Sequence, residues 1–278
     1  MLDASVAGRK VQIAAAKSNL KHVTLELGGK SASIVFEDDD IANAVCHNSQ
    51  MFLFNNAQTC SGASRVFVHE RIAPTFIENV KEDFTWMSGA LGDPTKPDTF
   101  LGPMVDKAQV ARVDEYVQEA KSKGIEVLAG GEKRPGTGQY YTPTVLLNPD
   151  LESRVWTEEI FGPVLMVRTF KTEDEVIELA NDTSYGLSGR LPWSLIHTST
   201  TDLDLETIQG IIFTPNISRA LRVASKIDVG TFSVNGVQTR SKFTPWGGWK
   251  GSGYGREGGL EAVKEYVQSK TVHIHLGV

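Results

Sequence analysis

The chain has 278 residues, of which 40 % are hydrophobic and 22 % charged, and its formal net charge is -6 at pH 7. This length predicts one large domain or two small ones of ordinary globular composition, and the acidic balance argues against nucleic acid as a partner, because a polyanion needs a basic face. No apolar run is long enough to span a bilayer, residues 1–5 lack the basic and apolar regions of a secretory signal, and two cysteines do not make a disulfide framework.

From these features we expect a soluble cytoplasmic α/β protein, with no membrane partner and with Cys46 and Cys60 as reduced thiols. Residues 8–20 read as a helix, with Val11, Ala14, Ala15 and Ala16 on a small apolar face and Lys10 and Lys17 on a polar one. Residues 23–27 form a short apolar strand that ends at Gly28-Gly29, and residues 31–36 a second one, rich in β-branched side chains at Ile34 and Val35. Asp38, Asp39 and Asp40 then precede a helical pattern through Ile41, Val45 and Phe52, because acids suit the positive end of a helix. A strand at 65–68 and a helix at about 72–87 follow, then a helix at 108–123 and a strand at 125–128. This alternation predicts an α/β domain with a largely parallel sheet. Residues 190–210 show neither period, which is unusual for so long a stretch inside a domain. The most glycine-dense segment, 246–259, reads as a long loop that enters a helix at about Leu260, and residues 270–275 alternate like a terminal strand.

Two residues suggest chemistry. Cys60 lies among small and polar neighbours, and a helix is expected to begin just after it, where the dipole would favour a thiolate. The plainer alternative is a buried structural cysteine, which we keep for Cys46 on its apolar helix face. Glu26 sits between Leu25 and Leu27, and an apolar strand end would raise its pKa towards that of a general base. Its alternative is an acid on the solvent side of an edge strand. Together, a nucleophile and a base are what thiol chemistry through an acyl intermediate requires. Gly29-Lys30-Ser31 is not a phosphate loop, because Thr24 stands where the first glycine belongs. His273 and His275 share one strand face, but two ligands without a third do not predict a metal site.

Taken together, these segments resemble the aldehyde dehydrogenase superfamily. Residues 25–31 are similar to its glutamate motif, Gln58-Thr59-Cys60 with Arg65 to its cysteine motif, and residues 158–164 to its cofactor-side motif. Residues 181–187 and 246–258 also match family segments. The resemblance implies an NAD(P)-dependent aldehyde dehydrogenase that converts a small-molecule aldehyde to a carboxylic acid. Cys60 would form the thiohemiacetal and then the thioester, and Glu26 would activate water. Glu159 would bind the nicotinamide ribose and Phe161 would position the ring, with Leu27 and Gly8 also on the cofactor side.

The resemblance further implies an aldehyde-dehydrogenase-like catalytic domain at 25–245, after a remnant of the dinucleotide-binding domain at 1–24. Residues 246–278 would supply the glycine-rich loop, a helix and a C-terminal strand that pairs subunits in a homo-oligomer. Two departures temper this. The family has a long region before the glutamate motif, including an oxyanion asparagine with no counterpart here, and Asp3 stands where a phosphate-binding glycine would align. Residues 190–210 read as an insertion, which we attribute to translated non-coding sequence or a gene-model error, the rival being a genuine family-specific loop. The alternative is therefore a catalytically impaired fragment or pseudoenzyme with its NAD or NADP site largely missing, at most an esterase-like thiol hydrolase.

Overall fold

A computed structural model describes residues 4–136, 138–189, 211–234 and 242–277. Twelve strands are present among them: β1 Leu25–Glu26, β2 Ala32–Val35, β3 Arg65–His69, β4 Glu126–Ala129, β5 Thr144–Leu147, β6 Val164–Phe170, β7 Tyr185–Gly186, β8 Ser188–Gly189, β9 Ile211–Phe213, β10 Thr231–Val234, β11 Trp249–Lys250 and β12 Gly253–Tyr254. The α-helices are α1 Ala4–Ser18, α2 Ile41–Cys46, α3 Ala73–Gly89, α4 Lys107–Ser122, α5 Arg154–Thr157, α6 Glu173–Asn181, α7 Ile217–Ala224 and α8 Gly259–Lys264.

The central sheet runs β4-β5-β6-β3-β2-β8-β10-β9, with β9 also pairing β2. Only β4 runs antiparallel to its neighbour, so the sheet is largely parallel, as the alternation predicted. Its middle strands are buried on both faces: β2 and β3 are buried throughout, and Val164 to Val167 of β6 have no exposed surface. That is the condition under which parallel strands are stable, because helices must cover both faces. α3 contributes Phe76, Val80, Phe84 and Met87, and α4 contributes Val110, Val113, Tyr116, Val117 and Ala120. Each set recurs at helical spacing on one stripe. α3 packs on β3, β4 and β5, which puts this stripe in the core.

Asp40 caps α2 by accepting from the backbone N–H groups of Ala42 and Asn43. After α2 the backbone changes to a π-helix over His47–Met51 rather than continuing regularly to Phe52. The predicted strand at 23–27 is reduced to two paired residues, Leu25 opposite Tyr254 and Glu26 opposite Gly253. Residues 271–276 form no strand within this chain and are exposed. Their alternation provides strand faces, but a strand needs a neighbouring ladder, and none of the described strands reaches them. The unusual segment 190–210, and Asp3, lie outside the described residues.

Gly29 lies just before β2, Cys60 before β3 and Phe161 before β6. These three strands are parallel neighbours, so their amino ends converge at one edge of the sheet. Three sequence-distant segments thereby meet there.

Candidate active site

At that edge lies a cleft of about 370 Å³, lined by Ala4, Glu26, Leu27, Gly28, Gln58, Thr59, Cys60, Gln109, Arg112, Glu159 and Phe161. Five of the six residues expected at the site, Cys60, Glu26, Glu159, Phe161 and Leu27, therefore share one cavity. Gly8 does not line it. It faces a neighbouring cleft of about 710 Å³, and Leu27 lies between the two. Gly8 is a packing glycine: a Cβ there would press on the Leu27 side chain.

The cysteine segment is held by amides. Gln58 Nε2 donates to the Asn55 carbonyl (3.0 Å), and its Oε1 accepts from the Val105 N–H (3.0 Å). Asn56 Nδ2 donates to the Gly102 and Pro103 carbonyls. Asn55, Asn56 and Ala57 all have φ between +52° and +55°, a left-handed turn that asparagine tolerates and alanine resists. No helix begins after Cys60, contrary to the sequence expectation. The Gly62 N–H instead closes a turn onto the Thr59 carbonyl, and the chain enters β3 at Arg65. The dipole argument for a Cys60 thiolate therefore falls away, and its half-buried place in the shared cleft carries the assignment.

Glu26 is exposed, so the apolar burial suggested by its neighbours is not present. A two-residue edge strand gives no second layer to cover it. Its carboxylate Oε2 accepts from the indole Nε1 of Trp246 at 3.1 Å.

The glycine pair after Glu26 has a steric role. The Gly29 N–H donates to Glu159 Oε1 at 3.1 Å. A Cβ on Gly28 would collide with the Glu159 carboxylate, and one on Gly29 with the carbonyl oxygen of Cys60. The two neighbours differ in compliance, because a carboxylate can swing whereas a backbone carbonyl cannot. Gly29→Ala is therefore expected to lower stability by about 2–3 kcal/mol and to displace Cys60. Gly28→Ala should melt close to the parent and lose affinity only for ligands that contact Glu159. Thermal unfolding with ligand titration checks both, and equal melting losses in the two variants would contradict the assignment.

Phe161 adopts φ +58°, and Gln109 Nε2 steadies this turn by donating to the Ile160 (3.0 Å) and Phe161 (2.8 Å) carbonyls. Gln109 and Arg112 sit one turn apart at the start of α4, behind the Asp106 cap. Sequence reading did not single out either residue, and it placed Gln58 and Trp246 in family segments without giving them a role. Helical spacing alone could have shown that Gln109 and Arg112 share a face, but not what that face meets.

Lys30 was assigned no role, yet it ties the site together from behind. It is 2 % exposed, and its Nζ donates to the carbonyls of Val155 (2.7 Å) and Glu158 (2.5 Å), next to Glu159. Burial, with Arg65 nearby, lowers its pKa from 10.5 to about 7, against the opposing pull of Glu159 and Glu158. In the unfolded chain Lys30 stays protonated until about pH 10.5, whereas the folded chain sheds the proton near 7. Between these values the unfolded state binds more protons, so this group makes stability rise with pH. Denaturant titrations from pH 7 to 10 should show that rise flattened in Lys30→Met; parallel curves would refute it.

Among the described residues there is no cluster of metal-ligating side chains, and no helix is long and apolar enough to cross a membrane. The profile of the aldehyde dehydrogenase family matches residues 4–195 and 206–272, a match that breaks within the anomalous segment. The chain is 40 % identical over 273 residues to an aldehyde dehydrogenase of Davidiella tassiana, covering 98 % of this chain and 50 % of that protein. It is 38 % identical to the chloroplastic betaine aldehyde dehydrogenase of Atriplex hortensis, covering 96 % of this chain and 49 % of that one. A crystal structure of betaine aldehyde dehydrogenase from Staphylococcus aureus in complex with NAD+ superposes with a TM-score of 0.84 at 33 % identity, covering 96 % and 49 %. The chain thus spans about half the length of the curated relatives it matches.

Proposed function

The chain belongs to the aldehyde dehydrogenase family, and we propose that its cleft performs aldehyde oxidation through Cys60, with Glu26 as the base of the hydrolytic step. The observation that carries this reading is the convergence in one cleft of Cys60, Glu26, Glu159 and Phe161, from three separate segments between positions 26 and 161.

The Cys60 thiolate attacks the aldehyde carbon, forming the C–S bond of a thiohemiacetal and moving the carbonyl electron pair to oxygen. When bound, NAD or NADP supplies the hydride acceptor that converts this adduct into a Cys60 thioester. Water then adds to the acyl carbon as Glu26 takes its proton, and the Cys60 thiolate departs with the electron pair of the C–S bond, releasing the acid. The residues present fit the nicotinamide-ribose end of such a cofactor. Glu159 offers carboxylate acceptors to a diol and Phe161 an aromatic face, and Gly28 leaves room for the carboxylate. Leu27 borders the same space. The exposed Val272, Ile274 and Leu276 support pairing with a second copy.

A second reading rests on the cleft itself. Cys60 and Glu26 lie together, and acyl transfer to water needs no hydride acceptor. Incubating the chain with an aldehyde and NAD or NADP, while following reduced cofactor at 340 nm, tests the first reading. Reduced cofactor formed in proportion to enzyme supports it. Its absence, together with hydrolysis of an aryl ester, leaves the thiol hydrolase.

A further inference from the structure

We propose that Trp246 is a positioning residue for Glu26, with its indole N–H fixing the carboxylate that activates water. This rests on the acyl-enzyme chemistry proposed above.

Glu26 is exposed on a two-residue strand, and an unanchored glutamate there would sample many rotamers. Trp246 is 7 % exposed, and its Nε1–H meets Glu26 Oε2 at 3.1 Å across 220 residues of sequence. The backbone that carries the indole is itself held in place. The Trp246 N–H donates to the Glu257 carbonyl (2.6 Å) and the Glu257 N–H to the Trp246 carbonyl (2.7 Å), closing the neck of the glycine-rich loop.

The same loop also holds the backbone around Glu26. Gly253 pairs with Glu26, the Leu27 N–H donates to the Ser252 carbonyl (3.0 Å), and Ser252 Oγ donates to the Gly28 carbonyl (2.7 Å). Gly253 and Gly255 permit this approach, since a Cβ on either would strike Leu25 or Thr24. One loop therefore fixes both the main chain and the side chain of the base. A carboxylate that is engaged through Oε2 presents Oε1 in one direction. In the hydrolytic step the water O–H bond breaks and its proton goes to Glu26. The water oxygen bonds to the acyl carbon, and the Cys60 thiolate leaves. A wandering carboxylate slows that step without affecting the earlier attack by Cys60.

The test is stopped-flow hydrolysis of p-nitrophenyl acetate by the full chain, with acetyl-Cys60 followed by mass spectrometry. Trp246→Phe keeps the ring and removes the donor, and benzothienylalanine at 246 changes only the N–H to sulfur. Both variants should give a parental nitrophenol burst, deacylate about tenfold more slowly and accumulate acetyl-Cys60. Adding Trp246→Phe to Glu26→Gln should slow deacylation no further. Unchanged deacylation in the benzothienyl protein, or acylation and deacylation slowed equally, overturns the positioning role. Absence of any acetyl-Cys60 in the parent instead overturns the acyl-enzyme reading and this inference with it.

Discussion

Replacing Cys60 with alanine is expected to reduce aryl-ester hydrolysis to the uncatalysed background, a loss of at least about 1000-fold, with the fold intact. The chain has two thiols, and their settings differ. Cys60 opens onto the cleft, half-buried, in a segment held by the amides of Gln58 and Asn56. On the proposed mechanism, losing this sulfur removes the nucleophile. Cys46 ends α2, and burial, then the Asp83 charge, push its thiol pKa up. It therefore presents little thiolate at neutral pH. One equivalent of iodoacetamide at pH 7 should label Cys60 and stop hydrolysis, whereas Cys46→Ala should leave the rate within about twofold. Peptide mapping reads the label directly. Retention of half the activity in Cys60→Ala would remove the thiol from the mechanism.

The largest expected loss of stability is at Arg65. This side chain is 1 % exposed, and its guanidinium donates to the backbone carbonyls of Lys30 (3.0 Å), Leu179 (3.1 Å) and Ala180 (2.9 Å). It also lies over the rings of Phe67 and Trp156. Burial draws its pKa down to about 10, with Asp182 pulling the other way, so it stays charged at neutral pH. Its fork joins the end of α6 to the start of β2, behind the cysteine loop. Arg65→Met fits a similar volume but leaves three buried carbonyls without their donor. We expect a loss of about 3–5 kcal/mol, lowering the melting midpoint by roughly 10 °C. Arg65→Lys keeps the charge without the planar fork and should fall between the two. A midpoint for Arg65→Met within about 2 °C of the parent would show that the carbonyls find other partners.

Much of the fold was readable because it is governed locally. The periodicities placed α3 and α4 within a residue or two of their observed limits, and the β-branched runs located β2 and β3. The acids before Ile41 announced a cap, which Asp40 provides. Elements that depend on a partner were less legible. The strand expected at 23–27 shrank to the two residues that β12 can reach, and 271–276 pair with none of the described strands of this chain. No helix followed Cys60, because the turn closed on Gly62 and the chain was committed to β3.

The sequence by itself determined the chemical alphabet of the site: a thiol among small residues, a carboxylate before a glycine pair, and a second carboxylate before Phe161. It also determined the alternation of elements, since helical and strand periods are set by near neighbours. Only the tertiary structure decided how these pieces meet. Parallel pairing of β2, β3 and β6 brought their amino ends together, and the glycine pair allowed Glu159 and the Cys60 backbone to close in. Trp246 came to Glu26, and Lys30 and Arg65 turned inward to backbone carbonyls. Such contacts join residues 35 to 220 positions apart, and no local period encodes them, because they arise when buried polar groups must find partners in the assembled core.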